Sequence, residues 1–180
     1  MRRSAGRGAE VLHKLWKRSL KMDYSFRYAT EEDVPLILNF IRQLAIYEHM
    51  LDDVVANEEI LKEWIFEKQK AEVIFVCDDS KEVGFALFFH NFSTFLGRAG
   101  IYLEDLYVLP EYRGKGFGKA LLKKLASIAV ERSCGRLEWM CLDWNKPSID
   151  FYLSLGAIPM SEWTEYRMTG DTLLQFAEGI

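Results

Sequence analysis

Residues 101–122, IYLEDLYVLPEYRGKGFGKALL, constrain this chain more than any other stretch. An apolar, β-branched and aromatic run leads to Pro110, then to Arg113-Gly114-Lys115-Gly116-Phe117-Gly118, then to residues at helical spacing. A strand that passes through a glycine loop into a helix start presents several backbone N–H groups to one phosphate-bearing ligand. The first turn of a helix has unsatisfied donors and partial positive charge. Glycines let the chain approach an anion closely because no Cβ intervenes. Each also costs about 0.5–1 kcal/mol relative to alanine in a helix, so three at alternate positions are a poor choice for stability alone.

Two nucleotide motifs are excluded by detail. A P-loop requires Ser or Thr directly after its lysine, and Ala120 follows Lys119. A dinucleotide turn requires Gly-x-Gly-x-x-Gly and an acid about 20 residues on. Here the third glycine comes one position early and the later region reads Ser133-Cys134-Gly135-Arg136.

The 180 residues suit one domain with a full core, and aromatics at 14% fit a packed globule. Val83 to Phe89 is typical of the longest apolar runs and is too short to cross a bilayer, so no transmembrane helix is expected. Cys77, Cys134 and Cys141 lack metal spacing and lie among strand-like residues, which suggests reduced thiols and a cytoplasmic protein. His13, His49 and His90 are scattered, so no metal site is assigned. Residues 1–21 carry seven Lys/Arg against one acid, while 22–180 carry 16 against 26. The basic leader is expected to be a disordered extension, with Met22 as the natural start of a domain spanning 22–180. An acidic body argues against nucleic acid as a partner and suits a cationic substrate.

Local signals predict the element order β-α-α-β-β-β-α-β-α-β, a single α/β domain with a mixed sheet. Tyr24–Tyr28 alternates as a strand, and Thr30 caps the next helix with Asp33 at the reciprocal position. A second helix runs from Glu58 to Lys68. Strands at 72–77 and 82–90 flank a turn at Asp78–Lys81, and residues 91–100 form a loop or hairpin end. After the strand 101–108 and the helix 116–132 come a strand over 136–142 and a helix over 147–155. Asn145 caps that helix and Gly156 stops it. A last strand is expected at 163–168 and a short helix at 172–177.

Acetyl transfer from a thioester to an amine needs a neutral amine, a polarised carbonyl and a proton for the departing thiolate. Glu104 and Asp105, amid apolar neighbours, could take an ammonium proton or hold a cation by charge. They could equally mark an exposed part of the strand. On the helix after Asn145, Ser148 and Tyr152 share a face at i, i+4. Tyr152 fits either a core aromatic or a proton donor.

Leu103-Glu104-Asp105-Leu106-Tyr107-Val108, Glu111-Tyr112-Arg113-Gly114, Asp143-Trp144-Asn145 and Phe151-Tyr152 before Gly156-Ala157 together resemble one branch of the GNAT superfamily. That branch holds the spermidine/spermine and thialysine acetyltransferases. Arg42-Gln43-Leu44-Ala45-Ile46-Tyr47-Glu48 is similar to it as well, and the resemblance covers about residues 24–178. It implies the acyl-CoA N-acyltransferase fold, a single mixed twisted sheet flanked by helices. It implies transfer of an acetyl group from acetyl-CoA, as co-substrate, to a polyamine- or diamine-type amine. A thialysine- or lysine-like amino acid, another small amine, and a non-catalytic acetyl-CoA-binding module stay open as alternatives.

By the same resemblance, Tyr152 is the general acid and Glu104 the base or ammonium ligand. Leu106, Tyr107 and Val108 line the coenzyme, with the backbone of Leu106 and Val108 bonding to it. Arg113, Gly114, Lys115, Gly116, Phe117, Gly118 and Lys119 hold the pyrophosphate, with Asn145 and Ser148 near the coenzyme. Tyr47, Glu48, Asp105, Glu138, Trp139 and Met140 line the substrate side, no metal takes part, and the protein is a homodimer.

Overall fold

A computed structural model describes residues 24–179 and divides into two compact units, which meet in sequence at Met140 and Cys141. The expectations for the leader 1–21 lie outside the described residues. The first unit holds a five-stranded sheet in the order β1-β2-β3-β4-β5. Its strands are β1 (Tyr24–Tyr28), β2 (Glu72–Asp78), β3 (Lys81–Ser93), β4 (Arg98–Val108) and β5 (Leu137–Trp139). The first four are antiparallel neighbours and β5 runs parallel to β4, which makes the sheet mixed.

The parallel step requires a crossover. It is made by α3 (Phe117–Glu131), which buries Leu121, Leu125 and Ile128. Helix α1 (Val34–Glu48) packs Ile37, Leu38 and Phe40 against Phe75 and Phe85 of the sheet and Tyr107 of β4. The Phe40 ring stacks on Phe85 with centroids 5.1 Å apart. Before α1, the Thr30 N–H donates to Asp33 Oδ2 at 2.7 Å, as the capping sequence predicts. Asp33 also accepts two bonds from Arg27, each 2.7 Å.

The second helix, α2, is α-helical only at Glu58–Leu61, where Asn57 Oδ1 accepts from the Ile60 N–H at 2.9 Å. It continues as a π-helical turn, Lys62–Glu67. The hairpin after Phe89 is longer than expected, because β3 and β4 pair as far as Ser93 and Arg98.

The second unit contains α4 (Lys146–Ser154) and α5 (Gly170–Glu178). Gly156, at φ +87°, lies just beyond α4. The strand expected at 163–168 is not formed. An alternating segment becomes a strand only against a free edge, and this unit has no other strand among the described residues. The strand expected at 136–142 shortens to Leu137–Trp139, which pairs with Ile101–Leu103 and ends where β4 slips register against β3.

Candidate active site

Strand β4 has two neighbours over only part of its length. Ile101, Tyr102 and Leu103 pair with Leu137, Glu138 and Trp139 on one side, and β5 then ends. Beyond Leu103 the β3 side stays paired, with Tyr107 opposite Phe85 and Val108 opposite Gly84. The Leu109 N–H donates to Val83 O at 2.9 Å. Backbone groups alternate in direction along a strand. Asp105 and Tyr107 therefore turn their amides to β3, and Leu106 and Val108 turn theirs to the open side.

The register slips where the open edge begins. Leu87 pairs with Asp105, whereas Phe88 pairs with Leu103. Glu104 is the extra residue of this β-bulge, a device that re-aims side chains. Glu104 is exposed and Asp105 half-buried.

Asp105 is pushed up to about 7, first by burial and then by the like charges of Glu104 and Glu48. Burial raises Glu48, the last residue of α1, as well. Three carboxyls from α1 and β4 thus interact where β4 opens.

At its C-terminal end β4 runs into a single turn, Pro110–Tyr112, and then the glycine loop. Gly114 has φ +73° and a Cβ there would meet no atom within 4 Å. Gly116, at φ +90°, is the N-cap of α3, a conformation that L residues rarely adopt. The Ala120 N–H bonds to Gly116 O at 2.9 Å. The preceding N–H groups, of Phe117, Gly118 and Lys119, are those a helix leaves without an intrahelical acceptor. Phe117 buries its ring, while Gly114, Lys115, Gly116 and Lys119 are exposed. An exposed helix start with open glycines and two lysines fits a pyrophosphate, and the free edge beside it fits an extended amide-bearing chain. The residues present therefore fit acetyl-CoA.

Other expected residues have defined places. Tyr107 lies in the core, its ring 6.4 Å from Phe40. Tyr47 lies beneath the Arg113 guanidinium at 4.8 Å. Glu138 is tied by its Oε2 to Asn91 Nδ2 and Arg136 Nε, each at 2.7 Å. Trp139 is half-buried and Met140 exposed. Asn91 was not legible as a partner of Glu138, because it lies 47 residues away in sequence. No sequence signal marks the bulge that distinguishes Glu104 from Asp105.

In the second unit, Asn145 is buried and its Oδ1 accepts from the Ser148 N–H at 3.4 Å, as an N-cap should. Tyr152 is half-buried on α4, its ring 5.4 Å from that of Phe151. Among the described residues, no group of three or more His, Cys, Asp or Glu could hold a metal ion. No described helix is long and apolar enough to cross a membrane.

Comparison with known proteins identifies the family. Residues 40–157 match the model of the Acetyltransferase (GNAT) family. The chain is 38% identical over 163 residues to a thialysine N-epsilon-acetyltransferase of Bos taurus, covering 84% of this chain and 95% of that protein. It is 32% identical over 199 residues to an L-ornithine N5-acetyltransferase of Arabidopsis thaliana, covering 85% and 87%. Among solved structures, an integron cassette protein from the mobile metagenome of V. cholerae superposes with a TM-score of 0.73 at 30% identity, covering 88% of this chain and 99% of that one. The chain is an acetyltransferase and belongs to the GNAT family.

Proposed function

We propose that the chain transfers the acetyl group of acetyl-CoA to a primary amine of a small polyamine- or diamine-type molecule, by direct attack in a ternary complex. The observation that carries this reading is the cluster of Glu48, Glu104 and Asp105 at the open edge of β4, with Glu48 and Asp105 raised by burial. Half-buried carboxyls that repel one another attract a cation. Acetyl-CoA, when bound, supplies an acyl group activated as a thioester.

Glu104 takes the ammonium proton, directly or through water, while Asp105 and Glu48 hold the cation beside it. The Leu106 N–H polarises the carbonyl that the amine nitrogen attacks. Val108 and the loop Gly114–Lys119 fix the coenzyme by backbone bonds, and the family resemblance assigns Asn145 and Ser148 to the coenzyme as well. Tyr152 Oη donates the proton that the departing sulfur takes as the C–S bond breaks. Two protons leave the ammonium nitrogen: Glu104 passes the first to water before attack, and the second, lost as the C–S bond breaks, replaces the one Tyr152 gave to sulfur.

A second reading, acetylation of a thialysine- or lysine-like amino acid, is favoured by the activities named for the mammalian and plant relatives. Residues 22–180 work as one catalytic domain in this proposal, in the cytoplasm, where the free Cys77, Cys134 and Cys141 stay reduced. The working form is a homodimer. Trp163, Tyr166, Leu174 and Phe176 are all exposed, an apolar surface that a second copy would cover.

The test is a thiol-release assay with acetyl-CoA against spermidine, spermine, simple diamines, thialysine and lysine. Preference for the di- and polyamines supports the first reading, and preference for thialysine or lysine the second. Coenzyme A binding without thiol release from any amine would sink both.

A further inference from the structure

Arg113 opens the glycine loop, yet its side chain turns toward the strand and helix beside the loop. Its Nε donates to the Val108 carbonyl at 3.0 Å, on the open side of β4. The guanidinium lies 4.8 Å from the Tyr47 ring and 5.0 Å from the Tyr107 ring. Tyr107 is a core residue stacked edge-on to Phe40. Tyr47 stands in the last turn of α1, one residue before Glu48 of the carboxyl cluster. A single planar cation therefore touches the coenzyme edge, the core and the end of α1 that supplies an acid.

A side chain kept as a phosphate ligand would direct its donors at the anion. Here the Nε donor is engaged by a carbonyl and the guanidinium face by two phenol rings, uses that suit a planar fork rather than a point charge. The geometry points to Arg113 as a positioning residue that ties the phosphate loop to the carboxyl cluster through Tyr47. It fixes the distance between the two binding sites, so its loss is felt by the amine. This inference rests on the proposed amine acetylation.

The test compares Arg113→Ala, Arg113→Lys, Tyr47→Leu and Arg113→Ala/Tyr47→Leu, measuring amine KM by thiol release and coenzyme A affinity by calorimetry. Loss of the stacked contact is expected to raise the amine KM by about two- to fivefold, the range for an exposed cation–π contact. Lys is expected not to rescue it, and the double variant should be no worse than the poorer single one. Coenzyme A affinity without amine should change less than the amine KM does.

Several results would overturn the inference: a loss confined to coenzyme A affinity, full rescue by Lys, or effects of the two substitutions that multiply independently. Should Arg113→Ala not fold, the Lys variant and Tyr47→Leu, singly and combined, carry the same comparison. Thiol release absent from the wild type over the whole amine panel would overturn the proposed function itself. That failure is told apart because it does not depend on Arg113.

Discussion

Asn91 Nδ2 donates to Glu138 Oε2 at 2.7 Å, joining β3 to β5 over Gly100 of β4. Gly100 is paired with Asn91 in the sheet, and its Cβ position is occupied by the Asn91 side chain and by Arg136 Cγ at 2.8 Å. The missing side chain is what lets the strut cross. It anchors the short parallel strand whose end leaves β4 open.

Gly100→Ala should therefore destabilise the fold by about 1–3 kcal/mol, the cost of forcing a methyl into an occupied space. Chemical denaturation reads this as a lower midpoint with an unchanged slope. Glu138→Gln keeps the bond from Asn91 and weakens only the half-buried pair with Arg136, so it should cost less than about 1 kcal/mol in the same denaturation scan.

Asp105 gives stability a defined pH dependence. Its folded-state pKa, about 7, lies above the ordinary 3.8, so the folded chain binds more protons between those values. Stability contributed by this group is complete below about pH 4 and is lost as pH rises through 7. Asp105→Asn should flatten the fall between about pH 4 and 7 in thermal-midpoint scans. Wild-type kcat/KM for a cationic amine should rise as the carboxyl ionises around pH 7, and a flat profile there would contradict a role for Asp105 in holding ammonium.

Asp33 has the opposite sign. Two bonds from Arg27, followed by those from Thr30, hold it down to about 2. Its contribution is complete above the ordinary 3.8 and lost as pH falls through about 2. Asp33→Ala removes the cap and the forked ion pair together and should cost about 1–2 kcal/mol at pH 7, with less difference from wild type in acid.

Gly116→Ala places a Cβ at φ +90° and should cost about 1–2 kcal/mol in backbone strain. Because the same residue aims the first N–H groups of α3, coenzyme A affinity should fall by about tenfold or more, as calorimetry would show. Gly114→Ala meets no steric contact, so its effect is limited to the backbone conformation at φ +73°.

Tyr152→Phe keeps the ring and removes only the hydroxyl. If Tyr152 supplies the proton to the sulfur, kcat should fall by about 10²-fold or more while coenzyme A affinity is retained. An unchanged kcat would remove Tyr152 from that role.

Much of this was written locally. The Thr30–Asp33 cap, the turn after Asp78, the glycine loop opening α3 and the Asn145 cap are set by residues within four of one another, and each forms where its signal lies. The passage from β4 through the glycine loop into α3 was legible for the same reason, since strand, loop and helix follow without interruption.

Tertiary structure decided what depends on distant partners. The slip at Leu87/Phe88 separates an exposed Glu104 from a half-buried Asp105, although the two adjoin in sequence and read alike. Residues 163–168 form no strand, because a strand's bonds come from a partner that local sequence does not supply. Glu138 is engaged by Asn91 from another strand. Short-range signals fixed which residues cap and turn, because those bonds close within one turn of chain. Register, burial and the repulsion among Glu48, Glu104 and Asp105 arise only when α1, β3 and β4 pack together.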